Sequence, residues 1–362
     1  MACGDSTPQV QGAEPKAAGI TVTRVAKLDH PWAMTFLPDG RLLVTEKTGQ
    51  LRLVTQEGDV SEPIKGIPEV AYGGQGGLGD VVLAPDFEQS GLIYISYAEA
   101  GSGNTRGAVV ARGRLSLKGD DSEISDLTII WKQHPKVTGR GHYGHRMVFS
   151  DEGYLFISSG ERQKFTPSQD MDSNMGKILR LYPDGTLPKD NPFAEQGAIA
   201  AQVWSLGHRN PLGLAFDGQG RLWNHEMGPA GGDELNLVIK GNNYGYPTVS
   251  NGDHYSGKDI PDHDTRPEFA EPAIWWTPVI SPGGLVFYSG NEFPDWQGNA
   301  LIAGLSARAL VRVAVDDSGA ATEVERIDMG KRIREVEQGP AGDVWLLEDG
   351  RGGRLLRLTA SP

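Results

Sequence analysis

One hairpin pattern recurs along the chain and limits what it can fold into. An apolar run meets a turn built from Asp, Pro or Gly, a second run alternates apolar and polar residues, and another turn leads to a strand ending in Leu or Val. Residues 36–44 lead in this way to 49–54, and residues 149–157 lead to 177–181. Residues 216–223 repeat the hairpin, as do 339–347 before 355–358. Looser copies stand at 81–87 with 92–97 and at 284–288 with 300–303. Such turn residues supply the backbone angles of a hairpin, and period-two alternation gives each strand two distinct faces.

Six units, each with roughly the strands of one four-stranded blade, fit a radial arrangement that protects most sheet edges. The expected fold is all-β: a single six-bladed β-propeller with four-stranded antiparallel blades over residues 20–360. Residues 20–25 have no partner close in sequence, and they are expected to complete the last blade and close the ring. Gly at 49 and Pro at 23 agree with many tight turns. The glycine-rich, polar stretches 99–145, 158–176 and 224–283 are expected to be loops on one face, where function should be sought.

Charge and apolar content exclude two classes of partner. Lys plus Arg is 34 against 47 Asp plus Glu, a net charge of −13 with no basic run, so nucleic acid is not expected. No window approaches the ~18 apolar residues of a spanning helix, so the chain is not an integral membrane protein. Its single cysteine, Cys3, allows neither an intrachain disulfide nor a cysteine metal cluster. Cys3 follows Met1-Ala2 and precedes a Ser/Thr/Pro/Gln/Gly stretch, which resembles a lipoprotein start whose export signal has been removed. That reading makes residues 1–19 a disordered tail with a lipid anchor at Cys3 and places the protein in the periplasm or cell envelope. The alternative is a plain thiol in a tail.

Chemistry-bearing residues concentrate between the hairpins. Arg209 and Asn210 stand just before a strand. Gly228-Pro229 offers turn carbonyls and Asp233-Glu234 offers carboxylates, hard oxygens that suit Ca²⁺ at about 2.3–2.6 Å; the alternative for the acidic pair is a solvated turn. His142 lies in a glycine-rich loop where an imidazole serves as a general base, and His145 is an equally titratable rival that spacing does not exclude. Arg332 and Arg334 alternate, so on a strand both guanidinium groups face one way and can hold carboxylates. The glycine-rich run 73–80 lacks the Lys-Ser/Thr of a phosphate loop. The commonest serine-elbow and zinc-helix hydrolase motifs are absent from the sequence.

Together, Gly-Gln-Gly-Gly-Leu at 74–78, the segment 142–146, Gly-His-Arg-Asn-Pro at 207–211, Gly-Pro-Ala-Gly-Gly-Asp-Glu-Leu-Asn at 228–236, Asn-Tyr-Gly-Tyr-Pro at 243–247 and Arg-Ile-Arg at 332–334 resemble the soluble quinoprotein sugar dehydrogenases. The likeness is strongest to the bacterial aldose sugar dehydrogenase branch and runs from about residue 20 to 358. It implies oxidation of an aldose at C1 by pyrroloquinoline quinone (PQQ) with Ca²⁺, His142 taking the hydroxyl proton. It further implies cofactor contacts from Gln75, Arg209, Asn210, Tyr255, Gly304, Leu305, Ser306, Arg332, Ile333 and Arg334. The cofactor's calcium would take carbonyls of Gly228 and Pro229, and a second calcium would lie at Glu234 and Tyr244.

Two positions depart from the family. Relatives often carry a lysine near the quinone where this chain has Ser306, which leaves Arg308 to compensate, and Glu161 stands on the substrate side where some have Asp, its extra methylene bearing on the substrate side or on the orientation of His142. The electron acceptor is not specified, and a monomer or homodimer is expected. The competing readings are a calcium-dependent lactonase or esterase on a six-bladed propeller, and a non-catalytic propeller that binds a glycan or partner.

Overall fold

In the computed structural model, which describes residues 19–361, each repeat forms one antiparallel sheet. Cys3 and the expected tail up to residue 18 lie outside the described residues. Blade 1 holds Pro31–Phe36, Leu42–Glu46 and Gln50–Val54; blade 2 holds Leu78–Leu83, Leu92–Ala100, Arg106–Ser116 and Glu123–Lys132. Blade 3 holds Gly144–Phe149, Leu155–Ser159, Lys177–Leu181 and Val203–Leu206, and blade 4 holds Pro211–Phe216, Leu222–Glu226, Asp233–Leu237 and Ile274–Trp276. Blade 5 holds Pro282–Phe287, Ala300–Gly304, Ala309–Val315 and Ala321–Asp328. Blade 6 combines Ile333–Gln338, Val344–Glu348 and Arg351–Ala360 with the N-terminal strand Ile20–Asp29, paired in register from Ile20 opposite Ala360. The chain's first strand therefore closes the ring, as the unpartnered run at 20–25 predicts.

Two expectations need correction. Blade 1 has three regular strands; its outer edge is a bent segment in which Val60 bridges Val54 and the amides of Ser61 and Ile64 donate to Leu53 and Leu51. Pro63 interrupts that edge because it has no N–H for the ladder. The stretches 99–145 and 224–283 are not wholly loops, since they contain four of the blade strands above. Glu123–Lys132 is half-exposed with a broken alternation, which weakens its period-two signal.

Alternation decides the packing. Along Leu42–Glu46, Leu42 and Val44 join Trp345, Leu347 and Leu355 between blades 6 and 1, while Leu43 faces Leu78, Val81 and Ile95 between blades 1 and 2. A buried cluster fills every other junction in the same way, with Trp131 and Met147 between blades 2 and 3, Phe156 and Leu214 between 3 and 4, Trp223 and Ile302 between 4 and 5, and Leu301 and Val336 between 5 and 6. Among the described residues no helix is long and apolar enough to cross a membrane.

The innermost strands ring an axial tunnel made of two cavities, about 330 Å³ at the end where the inner strands begin and about 450 Å³ at the opposite end. They meet where the Arg146 guanidinium lies 4.1 Å over the Trp32 ring. Arg146 is buried; it ion-pairs with Asp80 at 3.3 Å and with Glu335, and its Nε donates to Leu212 O at 2.8 Å. One side chain thus joins blades 1, 2, 3, 4 and 6 and lines the lower cavity.

Candidate active site

The upper cavity is the mouth of the propeller, and its polar wall includes Lys47, Gln75, Arg332, Arg334 and Asp349. Arg332 and Arg334 share a face as their alternation requires: Arg332 Nε donates to Asp349 Oδ2 at 3.0 Å, and Arg334 Nε and Nη2 donate to Oδ1 at 3.1 and 2.9 Å. Ile333 between them points the other way and is fully buried in the core between blades 5 and 6. Its expected cofactor contact is therefore corrected: the side chain belongs to the core. Leu305 lines the mouth, Gly304 ends a strand paired with Ala309, and the Ser306 hydroxyl donates to Val279 O at 3.0 Å. Arg308 is exposed and is not among the residues that line this cavity.

His142 sits in left-handed backbone (φ 51°), its N–H donating to Gln75 Oε1 at 2.7 Å. Its Nδ1 lies 2.5 Å from Glu161 Oε1. An ionised carboxylate only accepts, so Nδ1 carries the proton and the lone pair is on Nε2. Among the described residues Nε2 has no hydrogen-bond partner. Burial pushes the imidazole pKa down and the nearby Arg209 adds to this, outweighing the upward pull of Glu161, so the ring is neutral and able to take a proton at neutral pH. Burial pushes the Glu161 carboxyl up, but the bond from His142 and the amide of Phe165 at 2.7 Å hold it below the usual carboxylate range.

His145 differs in kind. Its Nδ1 meets the Ser96 hydroxyl at 2.7 Å, its ring stacks on Trp32 at 5.0 Å, and burial pushes its pKa down to about 3. No carboxylate orients it, which sets it apart from His142. Glu161 is fully buried behind that ring, in contact with His142 as the second of its two expected roles requires, and not at an exposed substrate-side position.

Blade 4 supplies the next groups. Arg209 Nη1 donates to the carbonyls of Met227 at 2.9 Å and Gly228 at 2.6 Å, and Nη2 to the exposed Tyr255 hydroxyl at 3.4 Å. Arg209 Nε and Asn210 Oδ1 are buried without a partner among the described residues. Asp233 accepts the Gly228 N–H at 2.8 Å and the Ser281 N–H at 2.6 Å, so it shapes the 228–233 turn with both oxygens; burial pushes its carboxyl up to about 6.

A family model described as Glucose / Sorbosone dehydrogenase matches residues 28–357. The chain belongs to the glucose/sorbosone dehydrogenase family. It is 41% identical over 341 residues to the aldose sugar dehydrogenase YliI of Escherichia coli K12, covering 92% of this chain and 91% of that protein. Among solved structures, the apo-form of the soluble aldose sugar dehydrogenase of E. coli matches with a TM-score of 0.89 at 39% identity, over 94% of this chain and all of that one. The PQQ-bound aldose sugar dehydrogenase of Streptomyces coelicolor matches with a TM-score of 0.75 at 28% identity, over 96% and 100%.

For a member of the glucose/sorbosone dehydrogenase family, the pair Glu234 and Tyr244 is the remaining expected site. Both are buried and line one small cavity with Glu226. Burial pushes the Glu234 carboxyl up and the Glu226 charge adds to this, while Asn236 Oδ1 is buried without a partner among the described residues. The Tyr244 hydroxyl donates to Leu237 O at 2.5 Å and accepts the Ile239 N–H at 2.9 Å, so it is already engaged on both counts. Among the described residues no group of three or more His, Cys, Asp or Glu side chains is disposed to hold a metal, so a cation at either site needs carbonyl oxygens as well.

Sequence reasoning missed three groups of this family member's mouth. Lys47 lies in a short turn that reads as ordinary surface, and Trp32 reads as core. Arg162 is fully buried and donates to the carbonyls of Gly141 (2.8 Å), Arg106 (2.6 Å) and Gly139 (2.7 Å), with its guanidinium 3.7 Å over the Tyr143 ring. It clamps the loop that carries His142, and nothing in the sequence separates it from a solvated loop charge.

Proposed function

We propose that the protein oxidises aldose sugars at C1 to the lactone, with PQQ and Ca²⁺ as cofactors and His142 as the general base. The observation that carries this is a neutral, buried imidazole held by Glu161 beside a mouth lined with cations. The residues fit the group. Arg332 and Arg334 offer paired donors to its carboxylates, the orphaned Arg209 Nε and Asn210 Oδ1 want partners, and Gln75 and Tyr255 stand at the same face. The Gly228 carbonyl keeps a lone pair beside its bond from Arg209, so Gly228 and Pro229 remain fit for the first calcium and Glu234 with Tyr244 for the second.

When bound, PQQ supplies the hydride acceptor and Ca²⁺ the Lewis acid beside it. Nε2 of His142 takes the proton of the C1 hydroxyl as C1 gives up its hydride, and the sugar leaves as the lactone. Glu161 keeps the proton on Nδ1 and offsets the charge the ring gains. Arg162 fixes the loop so that the base meets the hydroxyl without reorganisation.

A periplasmic or cell-envelope location belongs to the same reading. The test is to reconstitute the apo-protein with PQQ and Ca²⁺ and assay mono- and disaccharide aldoses with a dye acceptor. Absence of PQQ-dependent dye reduction across the panel sinks the proposal, and lactone hydrolysis without quinone would turn it into a propeller lactonase.

A further inference from the structure

Lys47 occupies the turn between Leu42–Glu46 and Gln50–Val54, and its backbone is pinned from both sides. Its N–H donates to His30 O at 3.0 Å and its carbonyl accepts the Leu78 N–H at 3.1 Å. Gly77 makes that approach feasible: its φ is +151° and a Cβ there would lie 2.1 Å from the Lys47 carbonyl oxygen. The side chain is half-buried along the mouth, where Nζ donates to Gly74 O at 2.9 Å. Gly74 precedes Gln75, whose side chain holds the His142 amide, so Lys47 braces the same loop that positions the base.

The charge balance distinguishes Lys47 from its neighbours. Arg332 and Arg334 share the Asp349 carboxylate. Among the described residues Lys47 has no carboxylate within 4.0 Å, and the amine is lowered from its ordinary pKa by burial and by the Arg334 charge. A mouth wall with three cations and one carboxylate is arranged for an anion, and the Lys47 ammonium is the cation with no carboxylate in contact, the Asp349 charge reaching it only from farther away.

We propose that Lys47 is a cofactor-binding residue of the mouth, its ammonium taking a carboxylate of bound PQQ alongside Arg332 and Arg334. This rests on the function proposed above. The test is a PQQ titration of the apo-protein with Ca²⁺, followed by quenching of tryptophan fluorescence, for the wild type, Lys47→Gln, Lys47→Arg and the surface control Lys65→Gln. Loss of one charge-assisted bond should raise Kd about 10- to 100-fold in Lys47→Gln. Lys47→Arg keeps the charge and should stay within about threefold, and Lys65→Gln, which removes an exposed cation paired with Asp121, should match the wild type. Equal Kd for Lys47→Gln and wild type overturns the assignment of Lys47 alone, as does equal weakening by Lys65→Gln. A wild type that does not bind PQQ overturns the cofactor reading, and this one with it.

Discussion

The carboxylate of Glu161 divides its two oxygens between the imidazole of His142, at 2.5 Å from Nδ1, and the backbone amides of Lys164 and Phe165. One buried group therefore fixes both the tautomer of the base and the strained loop that follows, where Arg162, Gln163 and Phe165 all have φ near +60°. Glu161→Gln keeps the shape and removes the charge. Turnover should fall about 10- to 10³-fold. Because Glu161 raises the His142 pKa, its loss lowers it further, and a base active when neutral then keeps its activity to lower pH. The acid limb of kcat/KM should shift down; an upward shift would contradict the assignment.

His142→Ala removes the proton acceptor and leaves the cation-lined wall in place. A drop of about 10²–10⁴ in turnover is expected, with PQQ affinity within a few-fold of wild type in the fluorescence titration. A propeller that only binds a partner would keep every activity it has.

Arg162→Met opposes Glu161→Gln in sign. The Arg162 charge lowers the His142 pKa alongside Arg209, so its removal should move the acid limb up, with turnover down about 10- to 10²-fold as the 139–142 loop loosens. Backbone amide exchange at 139–142 checks the loosening directly.

Calcium should raise the thermal midpoint of the apo-protein, and Glu234→Gln should remove most of the gain. At 100 times Kd the expected stabilisation is about 2.7 kcal/mol. Burial and Glu226 raise the Glu234 pKa, so the carboxyl is protonated to higher pH and becomes a ligand only as pH rises through that value. The calcium shift should be larger at pH 8 than at pH 5, measured by thermal scans with and without chelator.

Trp345→Ala, at the junction where the N-terminal strand closes the ring, should destabilise by about 3–5 kcal/mol because the fully buried indole fills the blade 6 to blade 1 cluster. A lower denaturant midpoint at unchanged slope is the expected result.

The inner hairpins were legible because each carries its own turn residues and an apolar run, and the closing strand was legible because residues 20–25 lacked a local partner. Glu123–Lys132 and Ile274–Trp276 were not. They are reached through variable connections, and an outer strand has one face in solvent, which blurs the alternation. At the site, Arg332 and Arg334 announced themselves by spacing, and the family motifs drew attention to His142. The link of Glu161 to His142 came from the resemblance and only as one of two alternatives, since by spacing alone a carboxylate 19 positions away reads the same whether it faces solvent or an imidazole. The Arg146 network is less visible still: Asp80 and Glu335 come from inner strands of different blades and meet only when the ring closes.

Arg146 and Trp32 stand at the waist of the axial tunnel, between its two cavities. On the proposed function, sugar, lactone and electron acceptor would all meet at the upper mouth, where an occupant excludes the others. A molecule wedged there would then obstruct both halves of the proposed reaction at once.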